Sequence, residues 1–341
     1  MQLPDAIARL VGGEDLDRAE SRAVLRALMT GEATPAQIGA VLVALRMKGE
    51  TTEEVTGAAE VMRELVTRVE VDVPRLVDTC GTGGSGHKLF NVSTAAAFVT
   101  AAAGAHVAKH GNRAMSSRSG SADVLEAAGV NLELTPEQVG RCIEELGVGF
   151  LFAQRHHSAM RHVAGARREL GVRTVFNVLG PLTNPAGAPN QVVGVFDGAW
   201  QRRLAEVLRT LGSRHVLVVH AASGLDEIDL AGPTRVVELR EGALSEYTLE
   251  PERFGLRRAP LDALVADSPQ ASLALVHAAL AGEGPATDIV ALNAGAAIHV
   301  SGVAHSLEDG VAMAQDAIAS GLARERLDEL GRVTRLMGPP A

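Results

Sequence analysis

Cysteine is nearly absent from this chain, which has 341 residues but only Cys80 and Cys142. Two cysteines this far apart exclude a disulfide framework and a metal site built from several thiolates. They favour a reducing compartment, so we expect a cytoplasmic protein. A long apolar run is also absent, since no stretch approaches the roughly 20 residues that a membrane-spanning helix needs. The N-terminal residues MQLPDAIARL lack the basic and then apolar order of a signal peptide.

Basic residues are fewer than acidic residues in this chain. Aspartate and glutamate, 41 residues together, outnumber the 32 lysines and arginines, and the formal net charge is −9. A protein that binds nucleic acid or an anionic membrane needs a broad positive field, so this balance argues against both partners. Lysine is the rarer of the two basic residues, present as Lys48, Lys88 and Lys109 alone. Any site for an anion must therefore be built locally.

The first 70 residues predict helices only. Thr34 followed by Pro35 is typical of a helix start, and Thr51 with Glu54 three positions later forms a capping-box pattern. We therefore expect a small helical domain over residues 1–70.

From about Pro74, short apolar runs alternate with helical segments, a pattern typical of βαβ units and a mostly parallel sheet. The strand RVVEL and the strand LSEYTL follow closely on one another, which predicts an antiparallel hairpin at the edge of that sheet. The other predicted strands have the sequences RLVDT, HVAKH, VNLEL, VGFLF, NQVVGVF and RHVLVVH.

Residues 155–185 have helical periodicity, contain no predicted strand and end in Gly-Pro and Asn-Pro breaks. We expect this segment to fold back onto the helical domain. The α/β domain would then comprise residues 74–154 and 186–341. Three helical segments are predicted to close the chain, at residues 269–282, 286–299 and 306–333, the last with a break near Gly321.

The run DTCGTGGSGHKLFNVST, residues 78–94, contains four glycines between a predicted strand and a predicted helix. Glycines at this place allow positive φ and close backbone approach, so that successive N–H groups and the helix start can face one anion. The run matches neither the dinucleotide-binding fingerprint nor the P-loop. It predicts a phosphate cradle of another kind, the alternative being a purely structural tight turn.

A second polar cluster, AKHGNRAMSSRSGSAD at residues 108–123, follows the next strand along the chain. Open parallel sheets bind ligands beyond the carboxyl ends of their strands. Two neighbouring strands that both end in anion-binding residues predict one shared site rather than two separate turns.

Two adjacent acids, Asp226 and Glu227, follow the strand that ends at His220. Beside a phosphate site they would repel the ligand unless a hard divalent cation lay between, and Mg²⁺ is the usual one. Adjacent acids are otherwise most often solvated surface groups. Their place after a strand favours the metal interpretation.

The segment before Gly180 is rich in arginine, and helical spacing places Arg161 and Arg168 on one face and Arg167 on another. An arginine that points inward could hold a carboxylate with two hydrogen bonds. His157 and His162 lack acidic or cysteine neighbours, so a zinc site in this segment is not expected. The sequence also contains no G-x-S-x-G motif, which indicates a site that binds and stabilises charge rather than one that forms a covalent intermediate.

Five motifs, in this order and spacing, resemble those of the anthranilate phosphoribosyltransferases of tryptophan biosynthesis, which belong to the nucleoside phosphorylase and phosphoribosyltransferase class. The resemblance covers residues 1 to about 335, and the long run through residues 109–123 is its most specific part. The motifs are GTGG, NVSTAAAF, VAKHGNRAMSSRSGSADVLEAAG, FNVLGPLTNP and DE after VVH.

This resemblance implies a small helical domain through which two subunits form a homodimer, a larger α/β domain with a central sheet, and an active site in the cleft between them. It implies Mg²⁺-dependent transfer of the phosphoribosyl group from 5-phosphoribosyl-1-pyrophosphate (PRPP) to the amine of anthranilate. The products would be N-(5-phosphoribosyl)anthranilate and pyrophosphate, in the second step of tryptophan biosynthesis from chorismate. Because the aniline nitrogen attacks without prior deprotonation, no strong base is required.

The resemblance also implies roles for individual residues. Lys109 and Arg167 would act electrostatically, and two Mg²⁺ ions would be held, one by Ser93 with Glu227 and the other by Asp226 with Glu227. The residues implied for anthranilate are Gly81, His110, Asn112, His157, Arg167 and Pro181. Those implied for PRPP are Gly81, Gly84, Ser85, Leu89, Asn91, Val92, Ser93, Thr94, Lys109, His110, Gly111, Asn112, Arg113, Ala114, Met115, Ser116, Ser117 and Ser121.

Two positions depart from the family pattern. Ser85 stands where family members usually have aspartate, and Leu89 stands where they usually have serine or threonine. Leu89 cannot donate a side-chain hydrogen bond, so any PRPP contact there must come from the main chain.

Two alternatives remain at this point. A pyrimidine nucleoside phosphorylase shares the fold, but such enzymes have Lys-x-Ser-Thr-Gly-Gly where this chain has Asp78 to Gly84. A non-enzymatic nucleic-acid-binding relative would need a basic face, which the acidic composition and the Asp226-Glu227 pair disfavour.

Overall fold

Four helices form the N-terminal part of the chain in the computed structural model, which describes residues 2–114 and 119–338. Thr34 and Thr51 each accept a hydrogen bond from the backbone N–H three residues later, as predicted, and Asp17 caps the preceding helix in the same way. The four helices are α1 Leu3–Val11, α2 Arg18–Thr30, α3 Pro35–Lys48 and α4 Thr52–Leu65.

A seven-stranded sheet, ordered β3-β2-β1-β4-β5-β6-β7, forms the centre of the rest of the chain. Strands β1 to β5 are mutually parallel, while β6 and β7 pair antiparallel at one edge, so the predicted fold class and the edge hairpin are confirmed. The strands are β1 Leu76–Gly81, β2 His106–Gly111, β3 Val148–Phe152, β4 Asn190–Gly194, β5 His215–Ala221, β6 Thr234–Arg240 and β7 Ala243–Leu249.

The strand predicted at VNLEL is wrong. Val130, Leu132 and Leu134 are buried in alternation, as they would be in a strand, but the backbone has no ladder partner. Asn131 turns the chain instead, because its N–H donates to Thr334 Oγ1 at 3.1 Å and its side chain accepts from the N–H of Glu133 at 2.9 Å.

Eleven further α-helices in the described residues surround or connect the strands. No helix in this part of the chain is both long enough and apolar enough to cross a membrane. The helices are α5 Val92–Ala102, α6 Ser121–Ala127, α7 Pro136–Leu146, α8 Ala153–His156, α9 Arg161–Leu170, α10 Phe176–Leu179, α11 Ala199–Thr210, α12 Pro269–Leu280, α13 Gly284–Val300, α14 Leu307–Ala319 and α15 Leu322–Met337.

The two faces of the sheet contribute to two hydrophobic clusters. Successive strand residues point to opposite faces, so Val192 belongs to the cluster that contains α5 and α13, and Val193 to the other. This second cluster is continuous with the interior of α1 to α4, and it also contains Val163 of α9, Leu179 of α10 and Trp200 of α11. Helices α9 and α10 therefore share a hydrophobic cluster with the N-terminal helices.

Arg63 of α4 is a polar link between the N-terminal helices and the rest of the chain. Its Nε donates to the carbonyl of Leu182 at 2.6 Å and its Nη1 to the carbonyl of Leu211 at 3.2 Å. The position of α4 is thereby tied both to the end of the α9–α10 segment and to the end of α11.

Candidate active site

Four neighbouring parallel strands end at the same edge of the sheet. β1 ends at Gly81, β2 at Gly111, β4 at Gly194 and β5 at Ala221. The glycine-rich turn, the polar cluster and the acidic pair follow three of these ends, and ligands of open parallel sheets bind beyond this edge. The three motifs are therefore neighbours in space.

The glycine-rich turn between β1 and α5 requires glycine for its conformation. Gly83, Gly84 and Gly86 have φ of 64°, 79° and 82°, values that residues with a side chain rarely adopt. The turn leads to α5, which begins at Val92. The first N–H groups of a helix have no partner within it and attract anions.

Arg173, which precedes α10, holds the turn from one side. Its Nη2 donates to the carbonyl of Gly84 at 2.8 Å, and its guanidinium lies 4.2 Å from the centroid of the Phe196 ring. The charge of Arg173 thus lies against the predicted phosphate cradle, a role that no pattern in the sequence indicated.

Lys109 on β2 is a buried cation between the turn and α5. Its Nζ donates to the carbonyl of Thr79 at 2.6 Å and to Ser93 Oγ at 3.3 Å. Burial lowers the pKa of Lys109, while the negative charge of Asp78 opposes this. A bound anion would supply further negative charge to stabilise the ammonium form.

Asp78 lies beneath the site and is fully buried. Its carboxylate accepts from the N–H of His110 at 3.1 Å and from Asn184 Nδ2 at 2.8 Å. Burial raises the pKa of Asp78, and the charge of Lys109 and these hydrogen bonds oppose the rise. Asp78 and Asn184 thus fix the end of β2, a role that the sequence pattern did not reveal.

Glu227 and Asp226 lie in the turn that follows β5. Burial raises the pKa of Glu227 to about 8, and the adjacent Asp226 charge adds to the rise, whereas Lys109 and hydrogen bonds from Ser93 oppose it. A carboxylate with so high a pKa lacks sufficient positive charge nearby. The oxygens of Ser93, Asp226 and Glu227 are ligands of the type that Mg²⁺ prefers, so the donor set fits that ion.

Gly194, at the end of β4, permits this position of the acidic pair. A Cβ on Gly194 would overlap the backbone carbonyl of Asp226, and one on Gly81 would lie 3.2 Å from Asp226 Oδ2. Sequence reasoning missed Gly194, although a glycine at the end of the apolar strand NQVVG is a recognised sign of close backbone approach.

His110 and His157 form a buried pair. Their Nε2 atoms lie 3.2 Å apart, so one ring donates a hydrogen bond and the other accepts it. Burial lowers the pKa of His157 to about 4 and that of His110 well below its ordinary value. Both imidazoles are therefore neutral at pH 7.

Arg167 is the inward-facing arginine of α9. Its guanidinium lies 5.0 Å from the centroid of the Phe176 ring, and burial lowers its pKa. Arg161 and Arg168 on the same helix are exposed, as the predicted separation of faces requires.

Asn91 connects the start of α5 to two distant segments. Its Oδ1 accepts from Ser119 Oγ at 3.1 Å and from Ser272 Oγ at 2.7 Å, and its backbone N–H donates to Ser272 Oγ at 3.0 Å. The Asn91 side chain thus holds the loop before α6 against α12. Ser272 was not anticipated from the sequence.

Three other predicted site residues make contacts within the protein around the start of α6. Arg113 is ion-paired with Asp123 and Glu126, Ser121 Oγ lies 3.4 Å from the carbonyl of Asn112, and the N–H of Ala114 donates to Asp123.

Three positions on either side of the start of α5 are constrained by packing. Val92 and Thr94 have buried side chains, so only their main chains are available to a ligand. Leu89 forms an isolated antiparallel bridge with Val265. Met115, Ser116 and Ser117 lie outside the described residues.

Asn112 and Pro181 make contacts of their own within the protein. Asn112 Oδ1 accepts from the N–H of Arg113 at 2.8 Å and lies 3.4 Å from Gln154 Nε2. The carbonyl of Pro181 accepts from Gln191 Nε2 at 2.8 Å.

Two family models match the chain. Residues 4–66 match the helical bundle domain of the glycosyl transferase family, and residues 73–324 match its a/b domain.

Related proteins are similar to this one over nearly the whole chain. The anthranilate phosphoribosyltransferase of Chromohalobacter salexigens is 60% identical, and the match covers 99% of this chain and 98% of that protein. The corresponding enzyme of Methylococcus capsulatus is 59% identical over 98% of each chain.

Solved structures agree with the sequence relatives. The Thermus thermophilus anthranilate phosphoribosyltransferase superposes with a TM-score of 0.92 at 51% identity, covering 97% of this chain and 99% of that one. The Saccharomyces cerevisiae enzyme in complex with PRPP and Mg gives 0.88 at 26% identity, with 98% of each chain covered. The chain therefore belongs to the anthranilate phosphoribosyltransferases, a branch of the glycosyl transferase family that joins a helical bundle to an a/b domain.

Proposed function

We propose that this protein transfers the phosphoribosyl group of PRPP to the amine of anthranilate and releases pyrophosphate, the reaction of its family. The observation that carries the proposal is the cluster of Lys109, Ser93 and Glu227 at the start of α5, directly beside the glycine-rich turn. A cation, a helix start and an incomplete set of oxygen ligands together suit a diphosphate bound with a divalent metal.

Lys109 and the backbone N–H groups of the turn would bind the diphosphate of PRPP. When the C1–O bond of the ribose breaks, negative charge develops on the departing pyrophosphate. Donors that are already oriented stabilise that charge without reorganising. The hydrogen bonds of Lys109 to Thr79 and Ser93 hold its ammonium group in place for this role.

Ser93, Asp226 and Glu227 would hold Mg²⁺. We propose two ions, one between Ser93 and Glu227 and one between Asp226 and Glu227. Mg²⁺, when bound, neutralises charge on the diphosphate. The raised pKa of Glu227 supports this assignment, because a cation beside it would restore its ionised form.

Arg167 would bind the carboxylate of anthranilate. Its guanidinium faces the Phe176 ring and is partly buried, and a partly desolvated guanidinium binds a carboxylate strongly. His110 and His157 are neutral, so neither adds a positive charge that would compete with Arg167 for the anthranilate carboxylate. Gly81, Asn112 and Pro181 are proposed to complete this part of the site, and positioning replaces general-base catalysis because the aniline nitrogen is already nucleophilic.

The same proposal extends to assembly and location. We propose a helical domain made of residues 1–70 and 155–185, in keeping with their shared hydrophobic cluster. Val11, Met47 and Val172 on this part are 73%, 83% and 57% exposed, which supports a homodimer formed through it. The two free cysteines and a biosynthetic reaction support the cytoplasm.

Mixing the protein with anthranilate, PRPP and Mg²⁺ tests the function directly. We expect anthranilate fluorescence to change as N-(5-phosphoribosyl)anthranilate forms and pyrophosphate to appear in equal amount. Phosphorolysis of a pyrimidine nucleoside, or binding of single-stranded DNA, without this transfer would contradict the proposal.

A further inference from the structure

A cluster of two histidines and one glutamate lies at the start of β5. The candidate active site lies beyond the opposite ends of the parallel strands. His215 is the first residue of β5, Glu238 belongs to β6, and His299 lies in the last turn of α13. The acidic pair of the active site follows the other end of β5. A strand of this length spans roughly 20 Å, so the two sites are separate.

The three side chains face one another closely. His215 Nε2 lies 2.6 Å from Glu238 Oε1, and the rings of His215 and His299 are 4.9 Å apart in an edge-on arrangement. One ligand atom from each residue lies within 4.8 Å of the other two, and no other group of three or more such residues occurs in the described parts of the chain.

His299 has a polar atom that the fold leaves unsatisfied. The residue is only 7% exposed, and its Nδ1 is buried without a hydrogen-bond partner in the structure. Buried polar atoms of this kind are uncommon and cost free energy unless a partner is found. A ligand that accepts electron pairs from imidazole would remove that cost.

We infer that His215, Glu238 and His299 form a binding site for one divalent transition-metal ion, with Zn²⁺ the best match. Two imidazoles and a carboxylate, with water in the fourth position, are a common zinc ligand set, whereas Mg²⁺ prefers oxygen ligands alone. Neighbouring ligand atoms of a tetrahedral zinc site are roughly 3.4 Å apart. His215 and Glu238 would therefore separate slightly, and His299 would approach them.

The surroundings position the Glu238 carboxylate. It accepts hydrogen bonds from His215 and from Tyr247. The Tyr247 hydroxyl also orients that carboxylate, as groups behind a metal ligand commonly do.

The ion would join three elements that are distant in sequence: β5, β6 and the end of α13. A ligand that binds only the folded state stabilises it by mass action. Zinc bound here would therefore raise thermal stability without taking part in phosphoribosyl transfer.

Titration of the metal-stripped protein with Zn²⁺ and Co²⁺, in the presence of excess Mg²⁺ to occupy oxygen sites, tests the inference. We expect one ion per chain by equilibrium dialysis, and a visible absorption band of four-coordinate Co²⁺. His299→Ala and Glu238→Gln should each weaken binding at least tenfold. His305→Ala, at an exposed histidine beyond α13, and Asp226→Asn should leave it unchanged.

A second measurement guards against misfolded variants. Zinc should raise the thermal midpoint of the wild-type protein and of His305→Ala, but not that of His299→Gln. Absence of stoichiometric binding, binding that survives both cluster variants, or binding lost in Asp226→Asn would each overturn the inference.

Discussion

The Nε2 atom of His157 lies 3.2 Å from the Nε2 atom of His110, so that two buried imidazoles share one proton between them. The pKa of His157 is lowered to about 4 by burial, and the pKa values of His110 and His156 are lowered as well. The contact requires that one Nε2 carries no proton, because a proton on each Nε2 would place two donors face to face.

Stability should therefore decrease in acid. The unfolded chain binds protons at these histidines below about pH 6.5, whereas the folded chain resists them down to about pH 4 at His157. The free energy of unfolding should fall as pH drops through that interval, by at most about 1.4 kcal/mol per pH unit for each histidine. Urea unfolding at several pH values measures the slope.

His157→Asn should make that slope shallower, since one of the groups that binds protons on unfolding is gone. The exposed His305→Asn is the matched control. An unchanged slope in His157→Asn would show that the pair does not couple protonation to folding.

Arg167→Ala should raise the KM for anthranilate by about tenfold to a hundredfold, the value of losing a charge-assisted hydrogen bond or two. The KM for PRPP should change by less than about threefold, because Arg167 lies beside Phe176, whereas Arg173 is the arginine that bonds to the glycine-rich turn. Steady-state kinetics with each substrate varied in turn measures both constants.

Arg168→Ala, the exposed neighbour on α9, should leave both constants at their wild-type values. Arg167→Lys keeps the charge but loses the paired donors and should recover only part of the loss. Equal increases in both KM values for Arg167→Ala would contradict its assignment to anthranilate.

Asp226→Asn should raise the Mg²⁺ concentration that gives half-maximal activity by about tenfold, because a charged ligand is replaced by a neutral one. Activity measured against Mg²⁺ at fixed PRPP gives this value. Asp316→Asn, an exposed position on α14, controls for the change in net charge. A wild-type Mg²⁺ titration in Asp226→Asn would count against the proposed second ion.

Gly194→Ala should lower kcat strongly and weaken the response to Mg²⁺, because its Cβ would overlap the carbonyl of Asp226 and displace the acidic turn. The variant should also lose about 1–3 kcal/mol of stability, as overpacked sites do. Gly232→Ala, where an added Cβ meets nothing within 4 Å, is the control. Full activity in Gly194→Ala would show that the acidic turn need not occupy this position.

Local patterns in the sequence predicted most elements of the fold. Thr34, Thr51 and the alternating apolar runs specify elements from neighbouring residues alone, and these were found. The error at VNLEL arose because burial alternates there while Asn131 bonds to Thr334, which lies 203 residues away in the sequence. A local sequence pattern cannot predict a hydrogen-bond partner that lies so far away in the chain.

In the candidate site, too, some features could be predicted from local sequence and others could not. The glycine-rich turn and the acidic pair are visible as motifs, because each is a short run of unusual residues. The bond between Asn184 and Asp78, which spans 106 residues, and the approach of Gly194 to Asp226 depend on how strands are ordered in the sheet. Those relationships exist only after the chain has folded.

The hydrogen bond from Ser272 to Asn91 crosses 181 residues of sequence. During synthesis the ribosome releases the glycine-rich turn long before α12, so the N-terminal end of α5 lacks this contact until the last quarter of the chain emerges. A nascent or prematurely terminated chain that stops before Ser272 would carry every phosphate-binding motif and still lack one of the hydrogen bonds that hold Asn91 in place.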